Sequence, residues 1–390
     1  MAVNRKISAA SARAHTRKAK QGNSFRLPSG LLRKISLVLL VGLFAWAYQS
    51  IQPPPPRICG SPGGPKITSS RIKLNDGRHL AYKEHGVANS RAKHKIIYVH
   101  GFDSCRHDAL PASQELMEEL GVYMVSFDRT GYGESDPNPK RTVKSMAFDI
   151  EELADQLEMG TKFYVIGFSM GGQIVWSCLK YIPHRLAGAA LVAPVINFWW
   201  PGLPANVSQE GFDKQLEPDK WAVRVAHYAP WLSYWWNTQK WFPYSNVVAH
   251  SPLIFSASDK KLLPRFEARK EYEMQIRQQG ISESLCSDMK IGFGSWEFSP
   301  TDLENPFPNN EGSVHLWHGD DDLVVPVGPQ RYIAEKLPWI HYHEVAGAGH
   351  MFILEDGFGS TDRIILDFLE FLPLVDILFH EGSFLSDCFF

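Results

Sequence analysis

The sequence predicts an α/β fold: a mostly parallel sheet of about eight strands, helices on both faces, and one helical insertion. Two observations carry this. Short apolar runs alternate with amphipathic stretches along most of the 390 residues, the pattern of strand–helix–strand crossovers. That rhythm stops between residues 196 and 305, which hold eight of the twelve tryptophans. With 44% hydrophobic and 21% charged residues, the chain is neither disordered, nor collagen-like, nor a polytopic membrane protein.

Residues 1–34 are a basic tail with nine of the 40 Lys/Arg and no acid. The remainder sets 31 basic against all 42 acidic residues, a balance that argues against a nucleic-acid partner. Residues 35–56 carry no charge, although the strongly apolar part, ISLVLLVGLFAWAY, is only 14 long. Arg33 and Lys34 precede it, and Trp46 and Tyr48 stand near its far end. Flanking bases and interfacial aromatics fit a single-pass membrane anchor with a cytoplasmic N-terminus and a lumenal body; a cleaved signal peptide with an overlong basic region and an organellar transit peptide are the alternatives.

Residues 57–66 complete the Pro/Gly-rich stretch QPPPPRICGSPGGPK, expected to be a stiff, structureless spacer. The body follows as 67–195, the 196–305 insertion, and 306–372. Residues 71–86 read as a hairpin around Asn75-Asp76-Gly77. Strands are expected at 95–100, 122–127, 162–168, 187–193, 313–318 and 341–345. Helices are expected at 110–120, 142–159 and 170–181. The Trp-rich insertion reads as a lid that either forms an apolar acyl pocket or only builds its own core. Within it, Asn206-Val207-Ser208 is a glycosylation sequon, relevant if the body is lumenal. Residues 373–390 are an apolar tail of no evident pattern. The five cysteines are scattered, with no C-x-x-C, so neither a metal site nor a disulfide framework is indicated.

The chemistry concentrates at strand ends. Strand 162–168 runs into Gly167-Phe168-Ser169-Met170-Gly171, a G-x-S-x-G between a strand and a helix. A sharp turn there lifts the serine hydroxyl above the sheet, and the helix start offers N–H groups to developing negative charge. Serine needs a base, and the base needs an orienting acid. His350 follows strand 341–345 after Ala346-Gly347-Ala348-Gly349, and Asp320, Asp321 and Asp322 follow strand 313–318. Three adjacent acids cannot all be buried and ionised, so one of them should face the histidine.

These residues resemble the α/β-hydrolase superfamily over roughly residues 68–372. The family's acid turn, G-x-x-D-x-hydrophobic-V-P, aligns its acid with Asp322, leaving Asp320 as the second choice. Its His-Gly after the third strand maps to His100 and Gly101, so the resemblance implies an oxyanion hole from the backbone N–H groups of Phe102 and Met170. It also implies structural roles for His100, Asp128 and Arg129, the last two in DRTGYGES (128–135). Ser169 excludes the epoxide hydrolases and haloalkane dehalogenases of this fold, which use Asp. The proline-rich spacer, CGSPGGP and the Trp-rich lid resemble plant membrane-associated members, and GFSMGG resembles monoacylglycerol lipases and carboxylesterases. The implied activity is hydrolysis of a lipophilic carboxylic ester through Ser169, His350 and Asp322, without a cofactor. A hormone-like receptor with little turnover and an acyltransferase are the alternatives.

Overall fold

The computed structural model describes residues 29–354 and 361–370. The chain divides into two units, residues 1–51 and 52–390. In the first, α1 (Ser29–Ser50) is one 22-residue helix. It begins before the 14-residue apolar core because Leu31 to Lys34 are good helix formers. It ends ahead of Pro53–Pro56, which lack the N–H that a helix needs. Gly30–Ser50 is long and apolar enough to cross a membrane by length and composition, a measure that a signal sequence also meets.

The second unit is built on an eight-stranded sheet: β1 (Arg71–Lys73), β2 (His79–Gly86), β3 (His94–Val99), β4 (Val122–Phe127), β5 (Phe163–Phe168), β6 (Leu186–Val192), β7 (Val314–Gly319) and β8 (Ile340–Val345). The strand order is β1-β2-β4-β3-β5-β6-β7-β8. β2 runs antiparallel to both β1 and β4; β4 through β8 are parallel. Gly77, at φ 92°, supplies the left-handed position of the β1–β2 turn.

Both faces of the sheet are covered, which is why its central strands are apolar without alternation. On β3, Ile97 and Val99 join one core with residues of α3 (Val143–Gln156) and α4 (Met170–Tyr181). Ile96 and Tyr98 join the other with Met117 of α2 (Gln114–Leu120) and with Ile364, Ile365 and Phe368 of the last helix.

The insertion between β6 and β7 contains α5 (Ala205–Asp213), α6 (Glu217–Tyr228), α7 (Ser233–Thr238), α8 (Ala257–Leu262), α9 (Glu273–Ile276) and α10 (Ser287–Gly292). It has a core of its own, in which Phe212, Val223, Ile276, Leu285 and Met289 pack around Met170 and Tyr132. After β7 come α11 (Val327–Lys336), β8 and α12 (Thr361–Glu370). The apolar tail 373–390 and residues 1–28 of the basic tail lie outside the described residues.

The Pro/Gly stretch departs from the structureless spacer expected of it. The Arg57 N–H donates to the Gln279 carbonyl at 2.8 Å, and the N–H of buried Cys59 donates to Gln279 Oε1 at 3.1 Å. Arg57–Cys59 is therefore tied to the insertion.

Candidate active site

Ser169 sits between β5 and α4 with φ 53° and ψ −117°, a conformation that costs a non-glycine residue about 1–3 kcal/mol. Close packing holds it there. A Cβ on Gly167 would lie 2.5 Å from the Gly171 carbonyl oxygen, and one on Gly171 would lie 2.1 Å from that of Val99. The two glycines of the motif are thus required by the approach of backbone to backbone. The Ser169 N–H donates to Val192 O at 2.8 Å, and its carbonyl accepts from Gly172 and Val195 at 2.9 and 3.1 Å.

The loop after β8 brings His350 over this turn. Its Nε2 lies 3.0 Å from Ser169 Oγ and its Nδ1 2.7 Å from Asp322 Oδ2. An ionised carboxylate can only accept, so Nδ1 carries the proton and Nε2 faces the hydroxyl as an acceptor. Asp322 Oδ1 accepts from the Val324 and Val325 N–H groups at 2.8 Å each. Burial alone would push the Asp322 carboxyl up, but the charge and hydrogen bond of His350 outweigh it and hold it below the usual carboxylate range. Burial likewise pulls His350 down, yet the Asp322 charge and hydrogen bond dominate and raise it above its ordinary value.

The neighbouring acids are placed differently. Asp320 and Asp321 are exposed, and Asp320 accepts from the Gly347 N–H at 2.6 Å. Of the three acids that the sequence left open, the structure brings Asp322 to the imidazole. His318, not singled out from sequence, lies behind it. Its Nε2–H donates to Val325 O at 2.9 Å, and Nε2 is 3.5 Å from Asp322 Oδ2. Burial holds His318 below its ordinary pKa, so it is a neutral neighbour.

Phe102 and Met170 border the same cavity as Ser169, and Met170 is the first residue of α4, where N–H groups point outward. His100 is occupied on both ring nitrogens: Nδ1–H donates to Gly101 O at 2.8 Å and Nε2 accepts from the Arg129 N–H at 3.0 Å. Asp128 accepts from the N–H groups of Arg106 and Glu134 at 2.7 and 2.8 Å. Arg129 pairs with Asp288 of α10, which also receives Arg141 and the Tyr132 hydroxyl.

The cavity above Ser169 is mainly apolar, lined among others by Val195, Phe198, Val223, Met289, Phe293 and Val325. None of the eight insertion tryptophans is among its described lining residues. Trp200 and Trp296 are buried in the main core, while Trp221, Trp235, Trp236 and Trp241 form a chain of ring contacts with Phe242. The sequence left open whether the Trp-rich insertion forms an apolar pocket or only builds its own core; the described pocket is lined by Phe, Val and Met rather than by tryptophan.

Residues 96–357, about two thirds of the chain, match the family model for the α/β-hydrolase fold, and the chain belongs to that family. Among solved structures, it is similar to the enol-lactonase from Burkholderia xenovorans (TM-score 0.53, 16% identity, 77% of this chain and 100% of that one). It is also similar to an esterase from Rhodococcus sp. (TM-score 0.50, 17% identity, 77% and 99%). At these identities the likeness is one of fold. Among curated proteins, it is 33% identical over 96 residues to the pimeloyl-[acyl-carrier protein] methyl ester esterase of Sodalis glossinidius, covering 24% of this chain and 35% of that protein. The chain spans half or less of the length of the curated relatives it matches.

Proposed function

We propose that this protein is a serine hydrolase that cleaves a carboxylic ester with a lipophilic part. The observation that carries the reading is the continuous relay from Ser169 through His350 to Asp322, at 3.0 and 2.7 Å, opening on an apolar cavity. The partial likeness to a methyl ester esterase supports the same class.

In this reading His350 Nε2 takes the Ser169 proton as Oγ attacks the ester carbonyl. The Phe102 and Met170 N–H groups hold the oxyanion, each contributing about 3 kcal/mol to the transition state. His350 returns the proton to the leaving alcohol. Water, deprotonated by the same imidazole, then releases the acid and restores Ser169. Asp322 keeps the imidazole in the reactive tautomer and stabilises its charged form. The Phe, Val and Met lining takes the lipophilic part by displacing water from apolar surface.

The test is a fluorophosphonate probe with an ester series. Wild-type protein should be labelled at Ser169 and turn over esters, and Ser169→Ala should lose labelling and roughly 10⁴-fold or more of the turnover. Full turnover in Ser169→Ala would remove the reading.

The same proposal takes α1 as a single-pass anchor with the body on the lumenal side of an endomembrane. Arg33 and Lys34 stand at one end of the apolar stretch and Trp46 and Tyr48 near the other. Asn206, exposed in the first turn of α5, reports on it: a lumenal body acquires a glycan there, and a mobility shift on deglycosylation detects it.

A further inference from the structure

Asp259 lies in the first turn of α8, a helix of the insertion. It has an ordinary local task, a reciprocal cap with Ser256: the Asp259 N–H donates to Ser256 Oγ at 3.1 Å and the Ser256 N–H to Asp259 Oδ2 at 3.2 Å. A capping carboxylate has no need to be buried, yet Asp259 is 0% exposed. It is covered by the loop that carries the histidine. The His350 N–H donates to Oδ2 at 3.1 Å and the Met351 N–H to Oδ1 at 2.7 Å. Gly349 passes so near that a Cβ there would sit 2.3 Å from the carboxyl carbon. Burying a carboxylate is costly unless its lone pairs are filled. Here four donors fill them: the Ser256 N–H and hydroxyl from its own cap, and the N–H groups of residues 350 and 351.

We propose that Asp259 is a positioning residue for His350, fixing the backbone at 350–351 so that the imidazole reaches Ser169 and Asp322 together. The inference rests on the reading of His350 as the base. Asp259 touches no reacting atom and acts through the main chain of the residue that does. It has a second effect through its charge. The ionisable groups facing the imidazole are Asp322 from the loop after β7 and Asp259 from α8, with His318 of β7 behind Asp322. Both carboxylates favour the imidazolium that forms during the reaction, Asp322 the more strongly. The insertion therefore contributes to the reaction centre as well as to the cavity.

The experiment compares Asp259→Asn and Asp259→Glu with the parent in the full-length chain in detergent micelles, using a soluble ester. Asp259→Asn keeps the size and removes the charge. It should lower kcat by roughly tenfold or more, since small misplacements of a catalytic group cost that much, while KM stays within about threefold. The acid limb of its pH profile should move to lower pH, because one negative charge facing the imidazolium is gone. Asp259→Glu keeps the charge and displaces it, so kcat should fall with the acid limb unmoved. A merely structural lid contact would lower the yield of folded protein and leave the acid limb in place. Unchanged kcat and acid limb in folded Asp259→Asn overturn the proposal. If that variant does not fold, unchanged kcat in Asp259→Glu overturns it. Ser169→Ala separates the two levels: inactivity there with normal Asp259 variants sinks only the positioning role, and full activity there sinks the reading of the site itself.

Discussion

The two halves of the insertion differ in how they meet the loops at the end of the sheet that carry the candidate site. The first, from residue 196 through α5 to α7 and the segment after them, supplies Phe198 and Val223 to the cavity and leaves large aromatics in solvent: Trp241 is 77% exposed and Trp221 50%. The second, α8 to α10, grips the loops of the site through polar side chains, buried at Asp259 and Asp288 and half-buried at Arg277. Asp259 holds the His350 loop, Arg277 holds Asp103 beside Phe102 at 2.6 Å, and Asp288 holds Arg129, Arg141 and Tyr132. Both halves line the cavity, the second through Met289 and Phe293, and the second also holds the loops of the candidate site. A lid on this fold is thus not uniformly a cover.

The largest expected effect is in the second half. Asp288→Asn leaves the buried guanidinium groups of Arg129 and Arg141 without their counter-charge, which should cost about 3–5 kcal/mol of unfolding free energy. Urea denaturation measures it, and a loss as small as that of an exposed site would break the contrast. In the first half, Val223→Phe fills the cavity instead. It should raise KM for a long-chain ester about tenfold and leave an acetyl ester within about threefold; equal losses on both would deny that half its selective role.

The pH profile sharpens the division. Because His350 is raised above its ordinary 6.5, kcat/KM should fall as pH drops through a midpoint above that value, since imidazolium cannot accept the serine proton. The same shift contributes stability that is present below pH 6.5 and lost as pH rises through the folded-state value. First-half variants such as Val223→Phe should leave this midpoint where it is. The smallest effect belongs to Trp241→Ser, which should change unfolding free energy by less than about 0.5 kcal/mol; a large loss in thermal unfolding would show that the exposed aromatics are structural.

What could be read from sequence was local or periodic. The strand–serine–helix turn, the hairpin at Asn75-Asp76-Gly77 and the helix Met170–Tyr181 all lie within short windows whose pattern states their geometry. The choice among Asp320, Asp321 and Asp322 was open on the residues alone, because adjacent acids differ only in burial, a tertiary property. Asp259 was hidden for a related reason. Ser256-x-x-Asp259 is a legible helix-start pattern, but its outside partners are 91 and 92 residues away. Arg277 and Asp103 are 174 apart, and Arg129 and Asp288 159. No periodicity spans such distances. The tryptophan count left pocket and core equally open, because composition does not say where a ring packs; Trp200 and Trp296 lie in the core and Trp235 and Trp236 against one another.

The tether at Cys59 bears on how this protein is trimmed for work in solution. A shortened version starting at residue 67 looks natural on a hydropathy plot, yet it would strip Gln279 of two main-chain partners. That glutamine also donates to the carbonyls of Gly133 and Ser135, so the cut would loosen a seam well downstream of the chosen end. Beginning at Gln52 spares that seam and still discards the apolar helix.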